Sequence, residues 1–281
     1  MVKVPKYISL TDDYTTSKGL VYNILNYKGF DEVLIKFKET GYITNVYSST
    51  IKTGNIKDKL NPEVYGVGYI GDGHYTCMDC NKINKSYKVW QGMLERCYSP
   101  KLHKNRPTYK GCSVSEDWHD FQNFAKWFDN NYIEGFELDK DILGYCTSKY
   151  KMYSPETCLF VPPEVNNLLV SSDATRGETK LGTQKHIEKN GRWEGRYEAK
   201  ISSGVKGSRF LGIHYTEESA QDAYIKAKIK IIEGIISQDS YGIKVKEGLQ
   251  RFIKEGFDCF VKTKNTQVTI KKEQNDLQIP R

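Results

Sequence analysis

The spacing of apolar residues changes along the chain, and this change constrains the fold more than any other feature. Residues 33–38, VLIKFK, contain the alternation typical of a half-buried strand. Helical spacing follows, placing apolar side chains on one face at Trp90, Met93, Leu94 and Cys97. Alternation returns in residues 192–201, RWEGRYEAKI. The pattern predicts a multi-domain α+β protein.

Composition shifts and turn-forming residues divide the 281-residue chain, which is long enough for two or three small domains. We predict a small β-rich N-terminal module over residues 1–75 and a helical central domain over 76–170. A polar linker, residues 171–180, precedes a C-terminal module over 181–260 and a polar tail over 261–281.

Two further helices are predicted from apolar stripes behind capping residues. The first begins at Glu116 with Ser115 as its cap, and its stripe comprises Trp118, Phe121, Phe124, Ala125 and Phe128. We interpret these side chains as core. The second is capped by Thr216, and its stripe comprises Ala220, Ala223, Tyr224, Ala227 and Ile231.

Composition excludes several classes of protein. With 38% hydrophobic and 12% aromatic residues, the chain is too apolar for a disordered tail. No run approaches 18 apolar residues, so no membrane span is expected. The amino terminus lacks the apolar core of a signal peptide, which predicts a cytoplasmic protein with seven reduced cysteines.

The net charge of +7 is concentrated at one end of the chain. Residues 1–173 carry 21 Lys/Arg and 21 Asp/Glu, whereas residues 174–281 carry 21 and 14. This asymmetry points to a C-terminal module that binds a polyanion. A solvated lysine-rich surface without a partner is the alternative.

The C-terminal module is expected to be three antiparallel strands covered by one helix. Asn190-Gly191 is a strong hairpin signal between two of the strands. In the middle strand, alternation places Trp193, Tyr197, Ala199 and Ile201 on the face toward the helix. The opposite face then carries Arg192, Glu194, Arg196, Glu198 and Lys200. It presents Arg and Lys to solvent, as does a sheet that enters the major groove of DNA. A solvated sheet face remains possible.

The neutral half contains a candidate metal site. Asp139 is expected at a strand end and Asn166 at the start of a short helix. Carboxylate and amide oxygens suit Mg²⁺ or Mn²⁺, which assist phosphodiester hydrolysis. Acids flanking Lys140 would also be expected on an ordinary salt-bridged surface.

Cysteine spacing raises the possibility of structural zinc. Cys77 and Cys80 form a CxxC pair, and Cys97 and Cys112 follow. The second pair is 15 residues apart rather than closely spaced, so we favour unpaired thiols.

The C-terminal pattern resembles the Apetala-type DNA-binding domain of plant ethylene-responsive factors over residues 181–235. The matching residues are Gly182, Arg192-Trp193, Tyr197-x-Ala199-x-Ile201, Arg209-Phe210-Leu211-Gly212, Thr216-Glu217-Glu218-x-Ala220, Ala223-Tyr224 and Ala227-Lys228. The resemblance implies that the sheet contacts the DNA major groove. The implied contact residues are Gln184, Arg192, Arg196, Lys200, Ser202, Lys206, Arg209 and Phe210. Phe210 stands where the plant domains usually have Trp, and Ser202 and Ser208 stand where they place arginines.

Residues 86–170 resemble phage HNH endonucleases and their ββα-metal core. The matching elements are the Leu138-Asp139-x-Asp141 strand, residues 153–162, YSPETCLFVP, and Asn166-Asn167. The resemblance implies that Asp139 and Asn166 bind the metal, and it places Thr157 near the family's middle asparagine. Lys140 stands where most members place the general-base histidine. Asp141 is then the alternative base, and His119 is the nearest histidine outside the motif.

We therefore expect a phage-type HNH endonuclease that hydrolyses double-stranded DNA with Mg²⁺ or Mn²⁺ and is positioned by its C-terminal sheet. Its catalytic residues would be Asp139, Lys140, Asp141 and Asn166. The main alternative is a non-catalytic DNA-binding protein with a degenerate HNH core. An RNA-binding or assembly protein ranks third.

Overall fold

A computed structural model describes residues 4–144, 151–169, 179–186, 195–202, 208–238 and 241–256. The chain is mixed α+β, with helices and several small antiparallel sheets. It divides into two compact units. The first comprises Met1–Lys110 and Val114–Asp129, and the second comprises Gly111–Ser113 and Asn130–Arg281. This division differs from the sequence-based boundaries at residues 75 and 170.

A four-stranded antiparallel sheet opens the first unit. Its strands lie in chain order: β1 (Asp13–Thr15), β2 (Val21–Tyr27), β3 (Val33–Phe37) and β4 (Ile43–Val46), followed by α1 (Ser48–Thr53). The strand predicted at residues 33–38 is confirmed. Val33, Ile35 and Phe37 are buried in the core, and Lys36 between them is exposed.

Aromatic helices complete the first unit. Its further elements are β5 (Met78–Asp79), β6 (Lys82–Ile83), α2 (Lys85–Tyr98), α3 (Pro100–Asn105), two 3₁₀ turns (Pro107–Tyr109 and Glu116–His119) and most of α4 (Phe121–Asn131). Strand β7 (Ser113–Val114) lies between these turns in the sequence, and its Ser113 belongs to the second unit. The stripe predicted for α2 is confirmed, because its buried residues are Trp90, Met93, Leu94 and Cys97. The stripe predicted from Trp118 to Phe128 is also buried.

The start predicted for the second helix is wrong. Glu116–His119 forms only a 3₁₀ turn, and α4 begins at Phe121. Asp120 has an extended backbone, and its Oδ1 accepts the N–H of Gln122 at 2.8 Å. An acidic side chain directly before the helix thus occupies the capping position. The Ser115 hydroxyl is buried without a hydrogen-bond partner among the described residues.

The second unit contains small antiparallel sheets and their helices. The central elements are β8 (Glu137–Asp139), α5 (Asp141–Gly144), β9 (Met152–Tyr153), β10 (Leu159–Val161) and α6 (Pro163–Leu169). The C-terminal elements are β11 (Thr183–Lys185), β12 (Tyr197–Ser202), β13 (Ser208–His214), α7 (Glu217–Ile236), α8 (Ile243–Arg251) and a π-helical turn (Phe252–Gly256). One hydrophobic core joins both sets, including Val161, Val165, Ile201, Tyr224, Ile232 and Leu249.

Helix α7 begins as predicted, and its buried stripe coincides with the predicted one only in part, at Ala220 and Tyr224. The Thr216 hydroxyl accepts the N–H of Ser219 at 3.1 Å, which confirms the cap. The buried stripe runs through Ala220, Tyr224, Lys228, Ile232 and Ile235. The apolar pattern of the sequence favoured small residues and did not predict burial of Lys228, whose aliphatic stem can pack in a core. No described helix, including this one of 20 residues, is long and apolar enough to cross a membrane.

Candidate functional site

The central part of the second unit has the order strand, strand, helix. Strand β8 pairs antiparallel with β10, with Asp139 opposite Leu159 and Glu137 opposite Val161. Helix α6 begins two residues after β10 ends and contacts β8. Pro162-Pro163 favours this abrupt change, because proline is well tolerated in the first turn of a helix.

Asp139 ends β8 and is only 4% exposed. Its Oδ2 accepts the N–H groups of Asp141 at 2.7 Å and Ile142 at 2.8 Å, so the carboxylate caps α5. Burial raises the pKa of this carboxyl above its usual value, and the nearby charge of Asp141 adds to the shift. Oδ1 has no hydrogen bond to a described residue.

Lys140 is buried beside the same turn, with 8% of its surface exposed. Its Nζ lies 2.5 Å from Asp141 Oδ1 and 5.6 Å from the centre of the Tyr153 ring. Burial alone would lower the pKa of Lys140, but the charge and hydrogen bond of Asp141 together with Tyr153 and Cys112 outweigh it, and the pKa lies above its usual value. At neutral pH this ammonium therefore cannot accept a proton from water.

Asn166 contacts the opposite end of β8 from Asp139. Its Nδ2 donates a hydrogen bond to Glu137 Oε2 at 2.7 Å, and no hydrogen bond joins it to Asp139 among the described residues. Strand alternation places Glu137 and Asp139 on the same face of β8. Glu137 was not predicted as a ligand, although its spacing of two residues from Asp139 was a usable signal.

The oxygen atoms of Glu137, Asp139 and Asn166 are suitable donors for a hard divalent cation such as Mg²⁺. Within the described residues, no group of three or more His, Cys, Asp or Glu side chains is placed to hold a metal ion. The amide of Asn166 would therefore have to complement the two carboxylates. The role of Asp139 and Asn166 as metal ligands stays a prediction.

Other residues named from the sequence occupy separate environments. The buried Thr157 hydroxyl donates to the Met152 carbonyl at 2.7 Å and accepts the Ser154 N–H at 3.0 Å, so it stabilises the turn before β10. His119 belongs to the first unit, where its Nε2 lies 3.5 Å from the Tyr98 hydroxyl. The candidate zinc ligands likewise divide, because Cys112 belongs to the second unit and Cys77, Cys80 and Cys97 to the first.

The C-terminal sheet has the predicted order β11-β12-β13 and packs against α7. On β12, Ala199 and Ile201 are buried, whereas Glu198 and Lys200, which alternate with them, lie on the other face. Gly182 before β11 has φ of 80°, and a Cβ there would lie 2.1 Å from the Tyr224 ring. Glycine is thus required where the chain crosses α7.

The outer face of this sheet centres on an acid that is bound by three neighbours. Glu198 Oε2 accepts from Gln184 Nε2 at 2.6 Å and lies 2.6 Å from Lys200 Nζ, while Oε1 lies 2.5 Å from His186 Nδ1. The hydrogen bond from Lys200 lowers the pKa of Glu198 below its usual value, with smaller contributions from His186 and Gln184. Two residues that we predicted to contact DNA are thus already engaged.

The remaining predicted contacts surround this centre. The Arg196 guanidinium lies 3.3 Å from the centre of the exposed Tyr215 ring, a cation–π contact. Phe210, 54% exposed, pairs with Lys200 and lies on the same face of the sheet. Arg209 pairs with the buried Ile201, so its register assigns it to the face toward the helix. Ser202 is exposed at the end of β12. Arg192 and Lys206 lie outside the described residues.

Comparison with known proteins found no matching family model, curated protein or solved structure. The similarity to HNH endonucleases and Apetala-type domains therefore stays a prediction from sequence. Functional assignment depends on the geometry of this chain's own side chains.

Proposed function

We propose that the protein is a metal-dependent DNA endonuclease of the HNH type. The observation that carries the proposal is the β8–β10–α6 arrangement, which ends its first strand in the buried Asp139 carboxylate and presents Asn166 to the same strand. This order of elements agrees with the ββα core that the sequence resemblance implies.

The proposed ligands are Asp139, Glu137 and Asn166. A divalent ion bound there would neutralise negative charge developing on a scissile phosphate. The protonated Lys140, held beside Asp141, would add positive charge to the same region. Lys140 is a phosphate-stabilising residue in this proposal and not a general base.

The outer face of the C-terminal sheet is the proposed DNA-binding surface. Lys200, Gln184 and Phe210 share this face, and Arg196 lies at its end against Tyr215. Cations and amides of this kind can bind phosphates and base edges. The excess positive charge of residues 174–281 favours the same partner.

Nicking of supercoiled plasmid tests the proposal. With Mg²⁺ or Mn²⁺, we expect the wild-type protein to nick and Asp139→Ala to lose at least about two orders of magnitude in rate. Asp222→Ala, which alters an exposed acid on α7, is the matched control and should nick normally. Equal nicking by wild type and Asp139→Ala would contradict the metal site.

The second candidate is a DNA-binding protein without nuclease activity. The buried, charged Lys140 favours it, because the position of the family's general base is occupied by a group that cannot accept a proton at neutral pH. In that case, wild type and Asp139→Ala would retard DNA equally in a gel, and neither would cut it with any divalent ion.

A further inference from the structure

The first unit contains a cavity of about 590 Å³ that the metal site and the basic sheet do not involve. Its wall comprises part of β4, residues 55–70, and the side chains of Cys77 and Tyr87. This volume is typical of sites for small molecules and cofactors. It is large enough to hold an aromatic ring system together with a second group.

Most of the charged groups that line the cavity are already paired. Lys18 Nζ lies 2.8 Å from Glu63, and Lys59 Nζ lies 2.8 Å from Asp72. The Asp58 carboxylate is buried and accepts hydrogen bonds from the Thr40 hydroxyl at 2.6 Å and the Leu60 N–H at 2.9 Å. These groups stabilise the wall and have little capacity left for a ligand.

Lys57 is the exception among the lining cations. No described residue forms a hydrogen bond or ion pair with it. Its positive charge acts on the half-buried Cys77 thiol, whose pKa is raised by burial and lowered in part by Lys57. Lys57 and Cys77 both line the cavity, so the Lys57 ammonium can meet one anionic group there.

Planar and amide groups form the rest of the lining. Tyr42 is fixed by stacking on Phe37, with centroids 6.2 Å apart, whereas Tyr47 is 57% exposed. The side chains of Asn45 and Asn55 also line the cavity and have no hydrogen-bond partner among the described residues. Amides of this kind can satisfy both the donors and the acceptors on the edge of a heterocycle.

We propose that this cavity binds a single nucleotide, with the base between the tyrosines and asparagines and the phosphate at Lys57. Aromatic walls stack nucleobases irrespective of sequence, and one unpaired lysine matches one phosphate group. The nucleotide is either free in solution or a unit of a single strand, and the two sources share this chemistry.

Titration with the four deoxynucleoside 5′-monophosphates tests the proposal. We expect saturable binding to the full-length protein, weakened at least about tenfold by Lys57→Ala. Lys36→Ala, which removes an exposed lysine of β3 outside the cavity, should bind as wild type does. Inorganic phosphate and the nucleosides alone should bind far more weakly than the intact nucleotides.

Alkylation of Cys77 by iodoacetamide supplies a second measurement. A bound nucleotide should slow modification of Cys77, which lines the cavity, and leave the exposed Cys80 unaffected. Protection by a short single-stranded oligonucleotide at a much lower concentration than by free nucleotides would identify a strand as the source. Binding by Asp139→Ala should persist, which separates this site from the nuclease proposal.

Three results would overturn the proposal. The first is absence of Cys77 protection by both nucleotides and oligonucleotides. The second is equal nucleotide binding by Lys57→Ala and wild type when both have the same circular dichroism spectrum. The third is protection by inorganic phosphate at the same concentration as by nucleotides, which would leave the base without a role.

Discussion

At the scale of single residues, two buried lysines of the second unit, Lys140 and Lys228, differ in whether an acid lies beside them. Lys140 is buried with an acid 2.5 Å away, and its charge is retained. Lys228, 4% exposed, has no ion pair among the described residues, and its Nζ lies 5.8 Å from the centre of the Tyr224 ring. Burial lowers the pKa of Lys228 from 10.5 to about 8.

Lys228 therefore destabilises the folded state at neutral pH. The shift corresponds to about 3 kcal/mol, and Lys228→Met, which keeps the aliphatic stem, should raise the free energy of unfolding by that order. Because the folded pKa is depressed, the cost is complete below pH 8 and disappears as pH rises toward 10.5. Urea unfolding at pH 7 and pH 10 would measure the difference.

Lys226→Met is the control for this prediction, since Lys226 is exposed on the same helix. It should change stability by less than about 0.5 kcal/mol at either pH. A gain from Lys228→Met that stayed constant between pH 7 and pH 10 would show that packing, and not charge, is responsible.

At the scale of elements, the start of α7 depends on a single hydroxyl. Thr216 accepts the Ser219 N–H at 3.1 Å, and Glu217 and Glu218 add negative charge in the first turn. We expect Thr216→Ala to lower the free energy of unfolding by about 1 kcal/mol. Thermal or urea denaturation followed by circular dichroism would detect the change.

Thr216→Ser keeps the hydroxyl and is expected to retain most of the stability. If Thr216→Ser and Thr216→Ala were equally destabilising, the threonine methyl group rather than the hydrogen bond would account for the effect. The acidic residues of the first turn would then carry the remaining capping interaction.

Helices and strands could be predicted from sequence where the apolar spacing is regular. Their boundaries could not be predicted where a polar contact determines them. The stripe from Trp90 to Cys97 gave α2 directly, because a regular run of large apolar side chains packs in one way. The start of α4 depended on whether Ser115 or Asp120 reached a backbone N–H, which composition cannot determine. The contact between Glu137 and Asn166 could not be predicted for the same reason, since the two residues are 29 positions apart.

At the scale of the whole molecule, charge is the property that most affects association with a polyanion. The excess of seven positive charges lies within residues 174–281. Affinity for DNA should therefore fall steeply with salt, because each neutralised phosphate releases counterions. The architecture predicted from sequence is supported at the level of mixed α+β with small antiparallel sheets.

Single substitutions should change this salt dependence by known amounts. Lys200→Ala and Arg196→Ala should each reduce the slope of log affinity against log salt by about one unit per lost phosphate contact. Lys230→Ala, which alters an exposed lysine on α7, should leave the slope unchanged. Fluorescence anisotropy with duplex DNA over a salt series measures the slopes, and unchanged values for both sheet variants would exclude this face.

The acid at the centre of the sheet also determines what an incoming ligand gains. Glu198 already holds Lys200, Gln184 and His186 in place, much as a phosphate would. An anion that binds here must displace the Glu198 carboxylate. The net gain in free energy is therefore only the difference between the interactions of the anion and those of Glu198 with the same three side chains. A ligand with few negative charges would compete poorly with Glu198 for these side chains, whereas a dense and continuous array of phosphates would displace it.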